Sequence, residues 1–147
     1  MHIDLGVANY QVQINSNLIP GLVKDLLKDR TNNVIIIDES VSGFFRSNCK
    51  DFDRLNVIEL TAGKESKTIF SLTKIFATLE QINLSRSGEI IAIGGGVIGD
   101  IAGLAASLWY RGCGLTHVPT TLLASVDSCV GGKTAVNFNG TINAIGS

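Results

Sequence analysis

Apolar residues along the chain fall into two patterns, short continuous runs and spaced positions that recur every three or four residues. In "NYQVQIN", residues 9–15, Tyr10, Val12 and Ile14 alternate with Gln11 and Gln13, the period of a half-buried strand. Ile19, Leu22, Val23, Leu26 and Leu27 then share one helical face, and Pro20 is tolerated there because a first turn does not need its missing N–H. "VIIID", residues 34–38, is a β-branched run of the kind buried on both faces of a parallel sheet. The pattern predicts a helix from about Ser40, a strand over "LNVIEL", residues 55–60, and a helix marked by Ile69, Leu72, Phe76 and Leu79. "EIIAI", residues 89–93, is a further buried strand that runs straight into glycines. The following "DIAGLAASLWY" has small residues, Ala102, Gly103, Ala105 and Ala106, suited to close helix packing. "LTHV" is a last short strand, ended by Pro119.

Strand and helix alternate with short connections, which predicts an α/β fold: a Rossmann-like, open, mostly parallel sheet with flanking helices. Neither an internal repeat nor a linker interrupts it. At 147 residues the chain has room for one domain. Charged residues make up 17% and the formal net charge is -1, so no electrostatic footprint for nucleic acid or an anionic membrane surface is present. No apolar stretch approaches the roughly 20 residues that span a bilayer, and the first ten residues lack a signal pattern. A cytoplasmic protein is expected. Cys49, Cys113 and Cys129 are odd in number and widely spaced, which reads as incidental or buried thiols rather than a disulfide framework or zinc site.

Chemistry concentrates in two places. In "AIGGGVIGD", Gly94, Gly96 and Gly99 satisfy G-x-G-x-x-G between a strand and a helix, where glycines let backbone approach a pyrophosphate and the helix N-terminus favours its charge. The fingerprint also expects an acidic residue about 20 positions on, and Pro119 stands there. A carboxylate at a strand end lies upstream instead: Asp38, placed to hydrogen-bond an adenosine ribose. Spacing alone leaves open whether these glycines hold a phosphate or only permit tight helix–sheet packing.

The second constellation is "HVPTTLLASVDSCVGGKTAVN", from His117 to Asn137. Thr120 and Thr121 can cap the next helix or touch a ligand. "GGKT" is not a Walker loop, because the position requiring glycine holds Asp127. What remains is carboxylate, ammonium and hydroxyl groups near the glycine loop, suited to a polyol or phosphate ester beside a dinucleotide, or else a solvated loop.

"GGGVIGDIAGLAAS", "YRG", "VPTTLLASVDSCVGGKTAVN" and the closing "NAIG" resemble the 3-dehydroquinate synthases of the shikimate pathway and, more broadly, the sugar phosphate cyclases. The resemblance is dense from residue 90 to 146 and weaker upstream. It implies NAD and a zinc ion as cofactors, a phosphorylated seven-carbon sugar acid (DAHP) as substrate, and 3-dehydroquinate as product. The implied sequence is transient oxidation by NAD, phosphate elimination, return of the hydride, ring opening and aldol closure. A new ketone acidifies the neighbouring C–H, as elimination requires. By position, Asp38 resembles the adenosine-ribose contact, and Gly63 and Lys67 resemble a nucleotide-contacting "G-E-x-x-K" loop. Gly95, Gly96, Val97, Ile98, Gly99 and Asp100, with Thr120, Thr121 and Lys133, match NAD-site positions. Asp127, Lys133 and Asn143 match substrate positions, and Arg111 resembles an arginine that reaches the substrate phosphate in a neighbouring subunit, implying a homodimer.

Three departures qualify the resemblance. Lys64 stands where that loop has glutamate, Phe138 and Asn139 replace His-Pro, and Ile142 stands where a second active-site lysine is expected. Against an anionic substrate in a dry site, a missing cation costs several kcal/mol. The family's metal ligands, one glutamate and two histidines, belong to a helical C-terminal domain, and this chain has only His2 and His117. The expectation is therefore an NAD-binding N-terminal domain spanning residues 1–147, a fragment of a two-domain enzyme, with no metal ligand assigned and no turnover alone. The alternatives are another sugar phosphate cyclase, a polyol dehydrogenase, or a non-catalytic NAD-binding or dimerisation module.

Overall fold

The computed structural model describes residues 2–4, 9–14, 18–61 and 63–147. β1 (His2–Asp4) and β2 (Asn9–Gln11) form an antiparallel ribbon apart from the main sheet. α1 (Leu18–Leu26) leads through a 3-10 stretch to β3 (Asn33–Asp38), followed by α2 (Glu39–Asn48), β4 (Val57–Leu60), α3 (Ile69–Gln81), β5 (Glu89–Gly94), α4 (Gly96–Leu108) and β6 (Gly114–Pro119). The chain closes with a hairpin, β7 (Ala135–Phe138) and β8 (Thr141–Gly146).

The main sheet is parallel throughout, in the order β4-β3-β5-β6. Its central strands are apolar without alternation because both faces are covered. Val34, Ile36, Ile90 and Ala92 pack with α3 and α4 residues such as Leu72, Ile75 and Ile101. Ile35, Ile37, Ile91 and Ile93 pack on the other side with Val23 and Leu26 of α1 and Phe45 of α2. Val23 and Leu26 are thus the buried edge of the amphipathic stripe read from the sequence.

Two details position the site. The chain runs from β3 outward to β4 and then crosses back to β5 on the other side of β3, so the strand order reverses between β3 and β5. Ligands of open α/β sheets settle outside the carboxyl ends of the strands at such a switch point. Ile37 pairs with Ile93, which sets Asp38 and Gly94 level there. The second detail is the docking of β7 on α4. A Cβ on Gly103 would lie 2.3 Å from Cγ2 of Thr134, so only glycine allows this approach. The hairpin is also tied to the 63–68 loop, where the Asn137 N–H donates to the Lys67 carbonyl at 2.8 Å.

The first predicted strand needs correction. β2 ends at Gln11, and residues 12–14 are not strand, with Ile14 89% exposed. Alternation there lacks a sheet face to be buried on, because β2 pairs only with three-residue β1. Asn15, at the end of that run, lies outside the described residues. β4 starts at Val57, two residues after the predicted beginning. The β7–β8 hairpin was not anticipated, although Asn139-Gly140 is a strong hairpin signal. Both residues have positive φ, 47° and 81°, as a type I′ turn requires.

Candidate functional site

Gly95 caps α4 with no side chain, leaving the first-turn N–H groups of Gly96, Val97 and Ile98 without a capping side chain among the described residues. The Gly99 N–H returns to the Gly95 carbonyl at 3.1 Å, and the Thr120 N–H donates to the Gly94 carbonyl at 2.9 Å, so the ends of β5 and β6 are stitched together beside the turn. The glycines also answer to packing. A Cβ on Gly94 would come within 2.6 Å of the Ile98 side chain, and one on Gly96 within 3.0 Å of Ser128 Oγ. The packing reading of these glycines therefore holds, and it coexists with an open helix N-terminus of the kind that favours anions.

Across the switch point, Asp38 is buried and accepts a hydrogen bond from the Ser40 N–H at 2.9 Å, capping α2. Its other carboxylate oxygen makes no hydrogen bond among the described residues. Thr121 proves to be a capping residue: its hydroxyl accepts from the Ala124 N–H at 3.1 Å, at the start of a wide turn over Ala124–Ser128. The Thr120 side chain is exposed.

Asp100, Asp127, Lys133 and Asn143 line one cleft of about 650 Å³ together with Ser128. Asp127 and Lys133 are exposed and unpaired among the described residues, a free carboxylate and a free ammonium facing one space. Gly131 and Gly132, with φ of 95° and 72°, set the left-handed turn that presents Lys133. At the cleft wall, Nζ of Lys67 donates to the Asp100 carboxylate and, at 2.5 Å, to Oδ1 of Asn143. Asn143 is held in turn by its own N–H, which donates to Asn137 Oδ1 at 2.9 Å. Lys67 is buried, and the pair it forms with Asp100 joins the 63–68 loop to α4. Gly63 opens that loop, where the Ser66 N–H donates to its carbonyl at 3.0 Å.

Arg111 is not in this cleft. It is exposed at the C-terminal end of α4, about 20 Å along the helix from the glycine turn. It sits in a left-handed turn with Tyr110, φ 65° and 49°, and has no hydrogen bond or ion pair among the described residues.

Two further residues beside the turn, His117 and Ser128, have a place that sequence spacing does not reveal. Nδ1 of His117 and Oγ of Ser128 are buried with no hydrogen-bond partner among the described residues. Burial holds the His117 imidazole below its usual range, against the opposing pull of the Asp100 carboxylate. Burial, reinforced by Asp100, raises the Cys129 thiol. The signal for His117 was its place on a strand packed under a glycine-rich helix, where a polar ring is out of character. No three His, Cys, Asp or Glu side chains gather as a metal site among the described residues, and no helix among them is long and apolar enough to cross a membrane.

Comparison with known proteins agrees with the order of these elements. The chain is 40% identical over 133 residues to a 3-dehydroquinate synthase of Ruminiclostridium cellulolyticum, covering 86% of this chain and 37% of the relative. The chain thus spans about two fifths of the length of the curated relatives it matches. A crystal structure of 2-deoxy-scyllo-inosose synthase complexed with carbaglucose-6-phosphate, NAD+ and Co2+ superposes with a TM-score of 0.83 at 28% identity, over 99% of this chain and 41% of that one. A 2-epi-5-epi-valiolone synthase from Streptomyces hygroscopicus with NAD+ and Zn2+ bound superposes with a TM-score of 0.81 at 26% identity, over 99% and 42%. The family described as 3-dehydroquinate synthase N-terminal matches residues 57–147, from β4 through the glycine turn to the hairpin, and this chain belongs to it.

Proposed function

We propose that the chain is the NAD-binding N-terminal domain of a 3-dehydroquinate synthase-like enzyme, supplying the nucleotide site and one wall of the site for a phosphorylated sugar acid, DAHP. The observation that carries this is the convergence of Asp100, Asp127, Lys133 and Asn143 on a cleft adjoining the glycine turn at the switch point. The residues present fit NAD: uncapped N–H groups at α4 for the diphosphate, and a carboxylate oxygen of Asp38 free for ribose hydroxyls. NAD, when bound, accepts and returns a hydride. Lys133 offers an ammonium to an anionic substrate group, and Asp127 offers a carboxylate to orient hydroxyls. Lys67 holds Asp100 and Asn143 in place. Zinc does not fit the described residues, which hold no ligand cluster, so no step through it is assigned to them.

Leu122, Leu123 and Val126 stand 81%, 69% and 66% exposed beside the cleft. A contiguous apolar surface of this kind marks a contact, which supports a second domain over the cleft. The exposed, unpaired Arg111 supports a homodimer in which it serves the neighbouring subunit. Calorimetry tests the nucleotide reading: NAD is expected to bind this chain, and absence of binding overturns it. Phosphate release from DAHP by this chain, supplied with NAD and zinc, is expected to be absent, and turnover would refute the need for a second domain.

A further inference from the structure

Folded proteins rarely leave buried polar atoms without a partner, yet among the described residues two such atoms adjoin the first turn of α4. Oγ of Ser128 lies 3.0 Å from where a Gly96 Cβ would be, and Nδ1 of His117 lies 3.4 Å from where a Gly99 Cβ would be. Gly96 and Gly99 are three apart in one helix, so both atoms approach the same helical face. Asp100 follows Gly99 and lines the cleft together with Ser128, so this face opens toward the space where a ligand would sit. The glycines make room for two polar side chains that nothing among the described residues satisfies.

β5 sets Ala92 opposite His117 in the sheet, and among the described residues the carboxylate of Asp100 on α4 acts on its imidazole. Cys129, in the adjoining turn, is also acted on by that carboxylate, and Asp100 is itself paired with Lys67. A phosphate group arriving at the α4 N-terminus adds negative charge to this low-dielectric place.

We propose that Ser128 and His117 complete an anion seat at the first turn of α4: Ser128 turns its hydroxyl onto a bound phosphate group, and His117, one layer beneath, takes up a proton from solvent as that charge arrives. The proposal rests on the reading of this turn as the seat of a nucleotide diphosphate, and it adds two residues and a proton to it. Binding and protonation are then linked, so each strengthens the other, and affinity rises as pH falls from 7.5 toward 6.

Imidazole NMR of this chain tests the idea, because only His2 and His117 contribute signals and His117→Gln assigns them. Saturation with NAD is expected to move the His117 titration to higher pH. Calorimetry in buffers of different ionisation enthalpy is expected to record proton uptake that His117→Gln abolishes. Ser128→Ala, which removes a hydroxyl that has no partner among the described residues, is expected to weaken binding about fivefold to tenfold. If NAD binds Ser128→Ala at full affinity and leaves the His117 titration unmoved, this inference falls while the nucleotide reading stands. If NAD does not bind, the nucleotide reading falls, and inorganic pyrophosphate and glucose 6-phosphate become the probes. A His117 titration that follows either keeps the seat, and one that follows neither sinks it.

Discussion

Asp38 serves two demands with one carboxylate. One oxygen caps α2 through the Ser40 N–H, and in the proposed function the other receives ribose hydroxyls. The two roles separate by substitution. Asp38→Ala is expected to lose about 1 kcal/mol of folding stability with the cap and about 1–3 kcal/mol of NAD binding. Asp38→Ser keeps a capping oxygen, so urea unfolding should return close to the original while calorimetry still finds weakened binding. If Asp38→Ser binds NAD as well as the original protein, the ribose assignment is lost. Asp38 was legible in the sequence because a carboxylate ending a β-branched run lands at the carboxyl edge of a parallel sheet. The partners of Lys67 were not legible: Asp100 and Asn143 lie 33 and 76 positions away, and only the return of the β7–β8 hairpin brings Asn143 to it.

The hairpin is the element that finishes the cleft, and its seat on α4 depends on Gly103. Gly103→Ala would drive a methyl into Cγ2 of Thr134, at a cost of about 1–3 kcal/mol for overpacking. Thr134→Ser in that background removes the offending methyl and keeps a hydroxyl for Ser147, so thermal unfolding should recover most of the loss. Failure to recover would mean that the hairpin does not rest where it is described. The helix residue was read correctly as small for close packing; what lay against it was missed because alternation in a four-residue strand is faint. Lys67 is the second joint of the same element through Asn143, and its ion pair with Asp100 fixes the 63–68 loop to α4. Lys67 and Asp100 side chains are 10% and 20% exposed, so Lys67→Met should cost less than the roughly 3–5 kcal/mol of a fully buried broken pair. Adding Asp100→Asn should restore part of it, and additive losses in the double-mutant cycle would deny the coupling.

At the scale of the whole molecule, pH separates two sources of stability. The sheet and its layers were legible because continuous β-branched runs have one physical solution, burial on both faces. The charged surroundings that decide pH response were not, since they depend on which side chains meet across the sheet. Glu59 is held below its usual range by hydrogen bonds from Ser42 and Arg46. Its contribution is present above about pH 4.5 and is lost as pH falls through its lower folded value. His117 acts in a higher window. Its folded imidazole titrates below the ordinary 6.5, chiefly through burial, so between those two values the unfolded chain binds the proton more readily than the folded one. Stability must therefore rise with pH through that window and decline as pH drops below about 6.5. His117→Gln removes the titration, and denaturant unfolding between pH 7.5 and 5.5 should show a flatter slope than in the original protein. An unchanged slope would mean that the His117 imidazole does not lie where it is described beneath the glycine turn.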